Sequence, residues 1–108
     1  MAGKLHHMAV NAVNFEETVR FFRELFDMEV LKTNGEAPHR KLWVKQGIQV
    51  NEASEADISG NLYDHIGIWV DDREQTLAKA HAMGCKALDG KPAHWFLTPE
   101  GIVIELMV

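Results

Sequence analysis

A single cysteine, Cys85, is all this sequence offers for covalent cross-linking. It cannot form a disulfide within the chain, and a lone thiol fits a reducing compartment. Positive charge is also scarce. Eleven Lys and Arg stand against 16 Asp and Glu, for a formal net charge of −5. Nucleic acids and anionic membranes both require a basic face, so neither is expected as a partner. No stretch approaches the ~18 consecutive apolar residues of a membrane-spanning helix. The opening MAGKLHHMAV lacks the apolar run of a secretory signal. These absences together lead to the expectation of a cytoplasmic protein.

What is present is ordinary globular material: 108 residues, 46% hydrophobic and 25% charged. That length is one domain's worth, able to bury roughly two-thirds of its unfolded surface without staples. Within it lies an internal repeat. His7 begins the apolar segment HMAVNAVN, followed by FEETVRFFRELFDMEV; His65 begins HIGIWVDD, followed by REQTLAKAHAMGCKAL. Seven residues after each histidine stands a helix N-cap type, Asn14 or Asp72, and three residues further stands Glu17 or Gln75. That spacing resembles a capping box. The first helix is expected to bury Val19, Phe22, Leu25 and Phe26 along one stripe, and to end at Asp27. The second carries a weaker stripe of Leu77, Ala80 and Met83 and is expected to end at Gly84.

Strand candidates follow each helix: 29–33, 40–45 and 48–52, then 86–88, 94–98 and 102–108. Turn residues separate them at Gly35 and Pro38, Gln46 and Gly47, Asp89 and Gly90, and Pro99 to Gly101. The element order is therefore βαβββ, twice. The expected organisation is a single domain over 1–108, with a first module at 1–52, a polar linker at 53–63 and a second module at 64–108.

Alternation along the strands places the candidate chemistry. If Met8 and Val10 pack on the helices, then His7, Ala9 and Asn11 face the other way. The same parity turns Gln49 and Asn51 away from Ile48 and Val50, and His65 and Trp69 away from Ile66 and Ile68. It also turns Glu105 away from Ile104 and Leu106. A carboxylate inside so apolar a strand wants a partner or a metal. Two histidines and one carboxylate suit a divalent first-row metal with positions left for substrate, and Gln49 offers an oxygen as fourth ligand. His39, His81 and His94 read as surface or satisfied core residues, and His6 falls on the helix side. Trp43 and Trp95 read as core. Trp69, on the face of His65, reads as a wall of the site, with Asn51 as a second substrate contact.

These residues resemble the vicinal oxygen chelate superfamily, also called the glyoxalase/bleomycin-resistance/dioxygenase superfamily. The resemblance is carried by LHHMAV from Leu5 with its FEETVRFFRELF helix, by DHIGIWVDD from Asp64, and most specifically by TPEGIVIEL ending at Leu106. It implies an α+β fold in which paired βαβββ modules form a cupped mixed sheet with helices on its outer face. It implies metal ligands at His7, His65 and Glu105, with Gln49 where lactoylglutathione lyases have glutamate. The resemblance further implies a divalent ion (zinc, nickel, manganese or iron) and a homodimer. The corresponding activity is a glyoxalase-like lyase or isomerase acting on a small oxygenated substrate, with Glu105 as the acid/base. Two other readings stay open: an oxygen-activating dioxygenase, and a metal-free protein that binds a small molecule or antibiotic.

Overall fold

The structure, a computed structural model, describes residues 3–58 and 61–108. The chain forms two compact units, one of residues 7–64 and one of residues 65–108 joined by the segment before His7. The βαβββ order expected from the sequence is present twice among the described residues, in an α+β architecture. No helix among the described residues is long and apolar enough to cross a membrane.

In the first half the order is β1 (Lys4–Ala12), α1 (Phe15–Phe26), β2 (Val30–Asn34), β3 (Lys41–Val44) and β4 (Ile48–Glu52). Its strands lie in the order β2-β3-β4-β1, with β1 parallel to β4 and the other pairs antiparallel. Helix α1 starts as its spacing predicts. The Asn14 side chain accepts from the Glu17 N–H at 3.2 Å and donates from Nδ2 to Glu17 Oε2 at 2.9 Å. The helix ends at Asp27 in the left-handed conformation, φ 54°. Asp reaches that region at lower cost than most side chains.

The register sorts the two faces of this half. Val10, Val50 and Leu42 are cross-strand partners, and they join Ala12, Phe15 and Val44 in the core, with Val19 and Phe22 of α1 packed against it. The next row, Ala9, Gln49 and Trp43, projects to the opposite face. Three apolar residues depart from expectation. Leu25 and Phe26, in the last turn of α1, lie outside the core cluster at 63% and 55% exposure. Phe15 at the start of α1 provides burial that the stripe was expected to gain at its end. Met8 is exposed as well, its same-face neighbours Val10 and Ala12 taking the packing.

A short α2 (Glu55–Ile58) interrupts the polar stretch expected to be a linker; residues 59 and 60 of that stretch lie outside the described residues. Ser54 caps the turn, its hydroxyl accepting from the Asp57 N–H at 3.2 Å.

The second half runs β5 (Tyr63–Trp69), α3 (Arg73–Ala82), β6 (Lys86–Ala87), β7 (Trp95–Leu97) and β8 (Val103–Met107). Its order is β5-β8-β7-β6, with β5 parallel to β8 and the rest antiparallel. Asp72 caps α3 by accepting from the Gln75 N–H at 3.0 Å, and Gly84 follows the helix at φ 97°. Ile66, Ile104 and Phe96 form one cross-strand row; Phe96, Leu106 and Ala80 make the core, with Leu77, Val70, Ile104 and Cys85 packed against it. Met83 caps the C-terminal end of α3 rather than extending its stripe, and it is exposed. The alternate row, Gly67, Glu105 and Trp95, projects away from this core.

Candidate metal centre

Two of the expected ligands meet within the second half. His65 Nε2 lies 3.3 Å from Glu105 Oε1, with the two side chains only 4% and 17% exposed. The parallel register explains the meeting. Glu105 is the partner of Gly67, two residues beyond His65 and on the same face of β5. Gly67 carries no side chain to stand between the Glu105 carboxylate and the His65 ring. The ring of Trp95, cross-strand partner of Glu105, packs edge-on against His65 with centroids 4.5 Å apart. The second carboxylate oxygen, Oε2, faces His94 Nε2 at 4.0 Å.

The first half repeats the plan with one substitution. His7 is buried at 4% exposure, two residues before Ala9, and Ala9 pairs with Gln49. Gln49 therefore holds in this half the position that Glu105 holds in the other. It too is buried, and its cross-strand partner on β3 is again a tryptophan. Trp43 Nε1 donates to Gln49 Oε1 at 2.8 Å, and Gln49 Nε2 donates to Asn51 Oδ1 at 2.7 Å. An indole nitrogen only donates, which fixes the amide with its oxygen toward Trp43. The oxygen retains a second lone pair.

The chemistry of these donors fits a divalent cation. Neutral imidazoles and a carboxylate are the ligand types of zinc, iron, nickel and manganese sites. A carboxylate this enclosed needs a compensating positive charge or donor. Trp69, expected as a wall, lies at the end of β5, 42% exposed, its ring 4.8 Å from that of His6. Asn51 closes the hydrogen-bond chain from Trp43. Sequence reasoning set aside His94 and Trp95 as surface and core residues. Their neighbourhood with Glu105 depends on the β7–β8 register, which no local pattern in the sequence reveals.

The sequence profile of the Glyoxalase/Bleomycin resistance protein/Dioxygenase superfamily matches residues 4–106, and the chain belongs to that superfamily. A comparison with curated proteins finds no match. Solved structures share the fold. A hypothetical protein from Bacillus halodurans C-125 superposes with a TM-score of 0.80 at 16% identity, over 98% of this chain and 94% of that one. A Streptomyces coelicolor methylmalonyl-CoA epimerase in complex with 2-nitronate-propionyl-CoA does so with a TM-score of 0.72 at 19% identity, over 95% and 92%. A 2,3-dioxygenase from Pseudomonas sp. KL28 gives a TM-score of 0.74 at 20% identity, over 97% of this chain and 40% of that one.

Proposed function

We propose that the protein is a divalent-metal-dependent enzyme of the lyase or isomerase type, acting on a small oxygenated substrate. The observation that carries this reading is the approach of His65 Nε2 to Glu105 Oε1 beside the apolar ladder of Ile66, Ile68, Ile104 and Leu106. His7, His65 and Glu105 are the candidate ligand set, with Gln49 Oε1 as a fourth ligand. A divalent ion held there supplies Lewis-acid stabilisation of negative charge on adjacent substrate oxygens. Glu105 Oε2, the carboxylate oxygen turned away from His65, is the atom assigned to take and return the substrate proton. Trp95 shields the His65 imidazole from water, and Trp69 and Asn51 contact the substrate. An epimerase among the structural relatives is in keeping with proton transfer beside a carbonyl. The proposed assembly is a homodimer and the proposed location the cytoplasm.

A dioxygenase is the second reading, because two histidines and one carboxylate also suit ferrous iron and a 2,3-dioxygenase shares the fold. The deciding experiment is metal analysis of untagged protein by mass spectrometry, before and after chelation and reloading. One equivalent of metal in the wild type, lost in His65→Ala and in Glu105→Gln, is the expected result. Stoichiometric metal in both variants overturns the ligand assignment. A wild type that takes up no metal under any loading leaves the metal-free binding protein as the reading. Oxygen uptake with catechols after ferrous loading selects the dioxygenase.

A further inference from the structure

We propose that Asn11 and Asn51 receive a carboxamide group of the ligand, Asn51 donating to its carbonyl oxygen and Asn11 accepting from its N–H. The inference rests on the functional reading above, in which Asn51 contacts the substrate, and adds the class of group that it meets there.

Both residues belong to the first half. Asn11 of β1 and Asn51 of β4 are direct partners in the parallel register, one row beyond Ala9 and Gln49 on the face opposite Val10 and Val50. Both are half-buried. Their amides are oriented by neighbours that have no choice of role. The Trp43 indole nitrogen only donates, so Gln49 turns its oxygen to Trp43 and its nitrogen to Asn51 Oδ1. Asn51 is thereby fixed as well, and Nδ2, with its two N–H groups, is its open end. Asn11 is set the other way round. Its Nδ2 donates to the Asp64 carboxylate at 3.4 Å, and a carboxylate only accepts, which leaves Oδ1 as the open end. The two amides are not bonded to each other, although asparagines stacked in register readily form a ladder.

An open donor and an open acceptor therefore stand side by side on strands about 4.8 Å apart. A group with a carbonyl oxygen and an N–H on one edge complements that pair. A carboxylate, which only accepts, meets Asn11 Oδ1 unfavourably. The fold does not require these amides. In the second half the row beyond Gly67 and Glu105 is Trp69 and Met107, so the same positions of the βαβββ unit take apolar side chains. Asparagine is depleted in strands generally. Two of them paired, each with its orientation set from outside, have their reason in what they bind.

The test titrates hydroxamates, which present two adjacent oxygens to a metal, into zinc-loaded protein by calorimetry. Acetohydroxamate has no tail group, succinic monohydroxamate ends in a carboxylate, and the primary amide of the latter ends in an isosteric carboxamide. Gln49 and Asn51 lie about 7 Å apart along β4, a span that the two-carbon linker and a hydrogen bond cover. The carboxamide is expected to bind about tenfold tighter than either of the others. Asn51→Asp keeps an acceptor for Gln49 Nε2 and puts a second acceptor where the open donor was, so it should abolish that lead. Asn11→Leu, which removes the open acceptor, should reduce it. Zinc uptake with no lead for the carboxamide, or a lead that survives Asn51→Asp, overturns this inference alone. A carboxylate that binds as tightly as the carboxamide does the same, and assigns the tail to Lys41, the exposed partner of Asn51 on β3. A protein that takes up no zinc, yet binds the carboxamide with a lead lost in Asn51→Asp, overturns the metal reading and upholds this one. Failure to take up zinc together with failure to bind any hydroxamate overturns both.

Discussion

Trp43 donates its indole N–H to the side-chain oxygen of Gln49 at 2.8 Å, and the two are direct cross-strand partners on β3 and β4. Gln49 is 5% exposed, so little water is at hand to replace that donor. Trp43→Phe should therefore destabilise the protein by about 1–3 kcal/mol, the usual penalty for a buried acceptor left without its donor. Urea denaturation at constant slope measures it. Gln49→Met placed in the Trp43→Phe background should recover part of the loss, because removing both polar partners is less costly than removing one. An additive double variant would show that the hydrogen bond contributes nothing.

Glu52 gives the protein an acid limit. Arg40 grips its carboxylate with Nε at 2.9 Å and Nη2 at 2.8 Å, and the Arg40 backbone N–H adds a third bond at 3.1 Å. The side-chain hydrogen bonds from Arg40 are the chief reason that the Glu52 pKa falls from 4.5 to about 2. A lowered folded-state pKa means that the unfolded chain binds the proton first. The stabilisation is complete above pH 4.5 and is lost as pH falls toward 2. Thermal unfolding followed between those values should show a decline in Tm that is smaller in Glu52→Gln. Equal slopes in the two proteins would remove Glu52 as the cause.

Two leucines should behave oppositely. Leu106 is 2% exposed in the core of the second half, while Leu25 is 63% exposed at the end of α1. Leu106→Ala should cost about 2–5 kcal/mol through lost transfer energy and the cavity left behind. Leu25→Ala should stay within about 0.5 kcal/mol, as surface substitutions do. Chemical denaturation of the two variants side by side makes the comparison. Comparable losses would mean that Leu25 is covered in solution.

Much of the fold was legible because the repeat states it twice. The Asn14 and Asp72 caps, the glycine after α3 and the apolar run broken only by Glu105 near the end of the chain are local signals, and each led to the element that formed, though β8 starts at Val103 and leaves Ile102 exposed. The parity of His7, Gln49, His65 and Glu105 could be read in the same way, since alternation needs no knowledge of neighbours. The lateral relationships could not be read. That Trp43 faces Gln49 and Trp95 faces Glu105 depends on strand register, which is set by turns and packing across many residues. The burial of α1 was misjudged for a related reason. Periodicity shows which side of a helix is apolar, but not how far along that side the sheet extends. Phe15 is covered and Leu25 is not, though both are large and apolar.

The equivalence of Gln49 and Glu105 has a consequence for descent. The two side chains differ by an amide in place of one carboxylate oxygen, and in the genetic code glutamine and glutamate are separated by a single base. A chain assembled from a duplicated βαβββ unit thus begins with the same acid or the same amide on both strands. At this position one point mutation makes the strands unlike, and one reversal makes them alike again. The asymmetry of the two ligand positions is the smallest step by which a pair of sister sites can part ways, however far the rest of the two segments has diverged.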